Sequence, residues 1–315
     1  MTSGPAAAGP APARPRALGA GDRVVLVCPS GPVDAERIAR TVASLRSWGL
    51  EVTVGPHAAE RTGFLAGADR GRAADLVSAL TDPAVRGMFC GRGGYGAQRI
   101  VDEIPDRLDD PPVVVGFSDI TAVHLALWRR GRIASLHGPG SGWWHDRLPA
   151  GSSEEVRRLV TDPGAVTVVA ADPDEPSAAV RSPGRAEGPL LGGNLSLLET
   201  SIGTPDFPDL AGAVLMIEDV GEAPYRIDRM LTHLLRVGAL AEVAGIAVGQ
   251  FTDCDGTPAH PDAVEVVAER LLPLGAPVLG GLRTGHGTGQ VAVPLGVGAV
   301  LDADAGTLTV DPLVR

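Results

Sequence analysis

Ser118 stands in the stretch Val113–Leu127, VVVGFSDITAVHLAL, at the junction of an apolar run and a helix-like pattern. A hydroxyl on a tight strand-to-helix turn can be pushed out at the carboxyl edge of a sheet. The N–H groups that follow then lie at a helix N-terminus, where negative charge is favoured. That is the geometry of a nucleophile elbow. A helix cap would give the same serine a purely structural use, and the stretch is not G-x-S-x-G, because Ile120 occupies the position of the second glycine. A serine nucleophile also needs a base and a group that orients the base. Of seven histidines, His57, His145 and His260 lie in polar loop contexts, and His124 and His233 fall inside helical patterns. His137 in LHGPG and His286 in TGHGTG remain, and the glycines flanking His286 permit the close backbone approach that an active-site loop requires.

For the orienting acid, IEDVGEAPYRIDR offers Glu218, Asp219, Glu222 and Asp228. Glu218 directly ends the apolar run Ala213–Ile217, and an acid held by a rigid sheet orients a histidine better than one on a loop. Pairing with Arg226 and Arg229 is the structural alternative for these acids. The loop GRGGYG, Gly91–Gly96, fits neither nucleotide-binding glycine pattern, and no lysine is present to reach a phosphate. An oxyanion hole fits better, built from the N–H of Asp119 and one N–H from Gly93 or Gly94, each such donor contributing ~3–4 kcal/mol. Trp143 and Trp144 stand together in GSGWWHD, in a chain that is only 3% aromatic. They are expected either to pack between domains or protomers or to line a substrate crevice, and we carry them forward as candidate substrate contacts.

These residues need a scaffold. From Asp22 to Ser135 strand and helix patterns alternate: VVLVC, then a helix with Ile38, Val42, Leu45 and Trp48 on one face, LEVTV, a helix around Arg72–Leu80, VRGMFC, a helix from about Ala97, the elbow strand and helix, and IASL. Repeated β-α-β units predict an α/β domain with a mostly parallel sheet and helices on both faces. Ligands bind beyond the carboxyl ends of such strands, so the loops PSGP, GRGGYG and GFSD should converge on one crevice. The predicted organisation is a disordered Ala/Pro-rich tail over 1–16, the nucleophile domain over 17–140, a linker and loop region over 141–187, and a C-terminal α+β domain with a barrel-like sheet over 188–315.

A length of 315 residues suggests two domains. The net charge of −11 argues against a nucleic-acid or anionic-membrane partner. No apolar stretch approaches the ~18–20 residues that span a bilayer, and the N-terminus lacks the apolar core of a signal peptide, so a cytoplasmic location is expected. Cys28, Cys90 and Cys254 lack metal-site spacing. Neither a metal nor a cofactor is predicted.

The segments CGRGGYGAQRI, VGFSDITAVHLAL, LHGP, LLGGNLSLLETSIGTPDFPD, IEDVGEAPYRIDRML and GHGTGQVAVPLGVGAVLDADAGTLTV, in this order, resemble the LD-carboxypeptidases, serine peptidases that include the microcin-immunity peptidases. The likeness runs from about Asp22 to Val310. It implies a flavodoxin-like N-terminal domain, a barrel-like C-terminal domain and a Ser-Glu-His triad falling on Ser118, Glu218 and His286, with the spacing of the last two selecting Glu218 over Glu222. It further implies release of D-alanine from murein tetrapeptide in cell-wall recycling, and a homodimer. Gly140 departs from the methionine expected after the HGP motif. Two competing readings are a microcin-immunity-type peptidase, which cleaves the amide of an aminoacyl or peptidyl adenylate mimic, and a small-ligand-binding module in which Ser118 only caps a helix.

Overall fold

The computed structural model describes residues 11–145, 148–257 and 261–315. The first layer is built from β1 (Arg23–Val27), α1 (Ala35–Ser47), β2 (Glu51–Val54), α2 (Asp69–Thr81), β3 (Val85–Cys90), β4 (Val113–Gly116), α3 (Thr121–Gly131) and β5 (Ser135–His137). Its five strands are parallel, in the order β5-β4-β3-β1-β2. Alternation places Val113 and Val115 on one face with Leu26 and Phe89, and Val114 on the other with Met88, Leu76 and Val123. Both faces are therefore apolar, which is why these strands read as continuous Val-rich runs.

The chain continues through α4 (Ser152–Thr161), β6 (Thr167–Ala170), β7 (Arg181–Ser182), β8 (Arg185–Asn194), α5 (Leu195–Thr200), β9 (Val214–Val220), α6 (Pro224–Arg236), β10 (Gly245–Thr252), α7 (Ala263–Leu271), β11 (Val278–Leu279), β12 (Val293–Leu295), β13 (Gly298–Asp302) and β14 (Thr307–Val310). Eight of these strands form a second sheet, β6-β14-β13-β8-β9-β10-β11-β7, curled into a half barrel. Its β8, β9, β10 and β11 are parallel neighbours and its edges antiparallel. α6 and α7 cover it, burying Leu231, Leu234 and Val267 against Leu215, Ile217 and Val248.

The sheets do not divide the chain at the positions expected from composition. β6 and β7, inside the supposed linker, form the two edges of the second sheet, while β12 leaves the C-terminal half and pairs antiparallel with β5. α4 packs Val156, Leu159 and Val160 into the cluster that joins both sheets. The helix expected from Ala97 is two short 3-10 turns, Ala97–Arg99 and Val101–Glu103, because Pro105 forces the preceding Ile104 out of the helical region. The predicted disorder of 1–16 does not extend over 11–16. Ala13 bridges to Ile133, and Pro15 accepts a hydrogen bond from Arg315 N at 2.9 Å, so a segment with no core of its own borrows partners from the first sheet's domain and from the C-terminal residue. The remainder of that expectation, residues 1–10, lies outside the described residues.

Of the tryptophan pair, Trp143 needs correction as a substrate contact. Trp143 is only 7% exposed and packs on Trp48 (ring centroids 5.3 Å apart) and Phe89 (6.5 Å), with its indole N–H donating to the Pro139 carbonyl at 2.8 Å. Trp144 lies under the Arg40 guanidinium, 4.0 Å from its ring centroid, on α1. In a chain with few aromatic rings, three of them are pooled here as core. Trp143→Ala should cost about 3–5 kcal/mol of stability, as large-to-small truncation of a buried aromatic does. Thermal denaturation checks this, and a melting temperature unchanged from wild type would contradict the packing role.

Candidate active site

β4 ends at Gly116, and Ser118 follows with φ 65°, one of three non-glycine residues at positive φ among those described. A serine held there stores about 1–3 kcal/mol of backbone strain. Its hydroxyl caps nothing: Phe117 is the N-cap of the short turn Ser118–Ile120, Ile120 that of α3, and neither cap is closed by a side chain. The turn is held from both sides. His124 Nε2 donates to the Gly116 carbonyl at 2.8 Å, and the buried Asp119 carboxylate accepts from Ser30 Oγ at 2.6 Å and from Ala97 N at 2.8 Å. One carboxylate thus binds the loops PSGP and GRGGYG to the elbow, and Gly31 N adds a bond to the Gly93 carbonyl at 3.1 Å. Burial pushes the Asp119 pKa up, against these hydrogen bonds. Gly93 lies directly against the serine, since a Cβ there would sit 2.9 Å from Ser118 Oγ, whereas Gly94 faces Gly31. The three loops meet in one place.

Glu218 lies on β9, wholly buried, and its Oε2 accepts from His286 Nδ1 at 2.7 Å. With Nδ1 as donor, Nε2 is the ring nitrogen that carries the lone pair. His286 is carried by the loop between β11 and β12, and its ring packs on Phe117, the residue before Ser118, with centroids 5.0 Å apart. Gln250, on β10 beside β9, clamps this loop. Its Oε1 accepts from Gly287 N at 2.9 Å, and its Nε2 donates to the Thr288 carbonyl at 3.2 Å and to Glu175 at 3.0 Å. Gly285 lets the loop close on the acid, because a Cβ there would lie 2.9 Å from Glu218 Oε2.

The other candidates fall elsewhere. Glu222 pairs with Arg226 at 3.5 Å, and Asp228 with Arg270. Asp219 accepts from Asn194 Nδ2, from Ser196 N and Oγ and from Val220 N; burial and the neighbouring Glu218 raise its pKa to about 6. His137 is buried with no hydrogen-bond partner on either ring nitrogen among the described residues, and burial, His124 and His286 push its pKa well down. His57 pairs with Asp75 and His233 with Glu199, and His260 lies outside the described residues. Gly140 has no place in the crevice wall: a Cβ there would meet the Cys90 carbonyl at 2.5 Å. Among the described residues no group of three metal-ligating side chains forms.

A crevice of about 420 Å³ opens beside Phe117 and His286, and its wall includes Arg37, Arg92 and Gln290. Sequence reasoning passed over Arg37, Arg92, Gln250 and the Asp119 carboxylate. Gln250 did leave a signal, as a polar residue at the end of the apolar run GIAVG.

Residues 24–138 match the LD-carboxypeptidase N-terminal domain and residues 187–301 the LD-carboxypeptidase C-terminal domain. The chain belongs to the LD-carboxypeptidase family. A putative carboxypeptidase of Streptomyces coelicolor is 43% identical over 305 residues, covering 95% of this chain and 96% of the relative. The murein tetrapeptide carboxypeptidase of Pseudomonas aeruginosa is 30% identical over 292 residues, covering 90% and 94%. Among solved structures, muramoyltetrapeptide carboxypeptidase from Oxalobacter formigenes superposes with a TM-score of 0.79 at 28% identity, over 91% of this chain and 97% of that one. The microcin C7 self-immunity protein MccF shares the fold, with a TM-score of 0.80 at 20% identity over 95% of this chain and 98% of that one.

The histidine that holds the elbow should make this LD-carboxypeptidase acid-sensitive. Burial lowers the His124 pKa from 6.5 to about 4. The unfolded chain therefore takes up its proton first as pH falls. Stability present above about pH 6.5 is progressively lost toward pH 4, by on the order of 3 kcal/mol for a shift of this size. His124→Gln keeps an N–H donor for Gly116 without titrating. Its melting temperature should fall less than that of wild type between pH 7 and pH 5, and equal slopes would refute the assignment.

Proposed function

We propose that this LD-carboxypeptidase is a serine peptidase that hydrolyses the amide between an L-centre and a C-terminal D-amino acid, releasing D-alanine from murein tetrapeptide in cell-wall recycling. The observation that carries the reading is the 2.7 Å bond between a fully buried Glu218 and His286, whose ring packs on Phe117, the residue before a serine held in the left-handed region. The name and 30% identity of the Pseudomonas aeruginosa relative support the substrate class.

In the mechanism Ser118 Oγ attacks the scissile carbonyl carbon and passes its proton to His286 Nε2. Glu218 stabilises the resulting imidazolium and fixes the ring through Nδ1. The oxyanion is received by the N–H groups of Asp119 and Gly93, the second being the glycine that abuts the nucleophile. Collapse breaks the C–N bond as His286 returns the proton to the leaving amine. Water, deprotonated by the same histidine, then cleaves the acyl ester and regenerates the serine.

We further infer a cytoplasmic homodimer. The unpaired, buried cysteines 28, 90 and 254 suit a reducing compartment. The exposed Val166 and Val168, beside and on the edge strand β6, with Tyr225 and Val237, offer apolar surface for a second copy. Sedimentation velocity should give twice the chain mass, and a monomer at micromolar concentration would overturn the dimer.

Ser118→Ala should melt like wild type and release no D-alanine from L-Ala-γ-D-Glu-diaminopimelate-D-Ala, as followed by mass spectrometry. Glu218→Gln should lose about 10⁴-fold in turnover, and Glu222→Gln far less. Appreciable turnover by Ser118→Ala would remove the serine mechanism. Cleavage of an aminoacyl sulfamoyl-adenosine with none of the tetrapeptide would move the substrate to the immunity class and leave the triad standing.

A further inference from the structure

The crevice beside the elbow concentrates charge of one sign. Its described wall holds the guanidiniums of Arg37 and Arg92 and no carboxylate, in a chain of net charge −11. Neither guanidinium forms an ion pair with a carboxylate among the described residues. Each lies over a glycine. Arg37 donates from Nε to Ser141 Oγ at 2.9 Å and from Nη2 to the Ser141 carbonyl at 3.3 Å, and it lies over Gly142, where a Cβ would come within 2.6 Å of Nη2. Arg92 lies over Gly31, where a Cβ would be 3.3 Å from its Nε. Burial, and then repulsion by Arg92, lower the pKa of Arg37 against the weaker pull of Asp34. Two mutually repelling guanidiniums with no carboxylate partner among the described residues form a receptor for an anionic group, and their fork geometry suits a carboxylate.

Position identifies which carboxylate. Arg92 immediately precedes Gly93, the residue that abuts Ser118, and His286, which must protonate the leaving amine, lines the same crevice. In a terminal amino acid the carboxylate carbon is three bonds from the scissile carbonyl carbon, so the two are at most about 4 Å apart. A residue that binds that carboxylate must come from a segment that adjoins the nucleophile, as Arg92 does through Gly93. We propose that Arg92, backed by Arg37, binds the terminal carboxylate of the departing D-amino acid and so restricts the enzyme to the last residue of the peptide. This assignment rests on the peptidase reading above. The other carboxylates of a murein stem, on its glutamyl and diaminopimelyl residues, are the competing source of the same chemistry.

The test compares initial rates on L-Ala-γ-D-Glu-diaminopimelate-D-Ala and on the same peptide with only its terminal carboxylate converted to a carboxamide. Wild type should prefer the acid by about 100-fold in kcat/KM, the scale of a lost charge-assisted hydrogen bond. Arg92→Gln should lose most of this on the acid while cutting the amide at the wild-type rate, so that the preference collapses, and Arg37→Gln should shift it in the same direction by about tenfold. A wild-type preference near one, or an Arg92→Gln enzyme that keeps the wild-type ratio, overturns the assignment in favour of another stem carboxylate. If wild type cuts neither peptide, the peptidase reading fails, and the subsite is decided by calorimetric titration of Ser118→Ala with N-acetyl-D-alanine and its amide. Equal binding of the two overturns it. Tighter binding of the acid, abolished by adding Arg92→Gln, supports it.

Discussion

Three antiparallel pairings, Val293 with His137, Pro294 with Leu136 and Leu295 with Ser135, decide where the imidazole of His286 ends up. The loop that carries it leaves the second sheet at β11 and re-enters the structure as an edge strand of the first. One end of that loop is thus registered against Glu218's sheet and the other against the strand next to the elbow, where Gly116 itself pairs with His137. Proline in a strand is tolerated at an edge, where its missing N–H interrupts no ladder and discourages further strand addition. The two halves are joined by a shared ladder and a continuous core, which positions side chains more closely than a flexible linker could.

Within the second sheet, the two adjacent acids of IED divide their work by strand alternation. Successive side chains on β9 point to opposite faces, so Glu218 meets His286 while Asp219 turns to Asn194 and Ser196 at the start of α5. Both are buried, and the electrostatic cost is visible in Asp219, whose pKa rises to about 6. Glu218 makes a single hydrogen bond, and its second oxygen has no partner among the described residues. A buried carboxylate of this kind gains most when the imidazole beside it becomes charged.

What could be read from the sequence was the chemistry encoded locally. A β-branched run stopped by Gly-Phe-Ser, an acid at the end of an apolar strand and a histidine between glycines each leave a mark within a few residues, and the alternating strands and helices of the first sheet were legible for the same reason. Non-local pairing left no such mark. Nothing in VPL shows that β12 joins the other sheet, and the short β6 and β7 of a Pro/Asp-rich region resemble loop because their pairing partners lie far along the chain. The Asp119 carboxylate was hidden for a related reason. Its neighbours suggested a role for its N–H, whereas its side chain acts through Ser30 and Ala97, on loops after two other strands.

The tryptophan pair shows how a core contact can still matter at the site. Trp143 does not touch the crevice, but Ser141 and Gly142 immediately before it do, and they form the seat of Arg37. Ser141 Oγ also donates to the carbonyl of Gly91, at the start of the loop that reaches Ser118 through Gly93. With the indole wedged between Trp48 and Phe89 and bonded to the Pro139 carbonyl, the backbone on either side has little freedom to drift. Packing energy in the first domain is in this way converted into the placement of a crevice wall. A large side chain beside two small ones is what that arrangement demands: the large one supplies the anchor, and the small ones leave room for the guanidinium it holds in register.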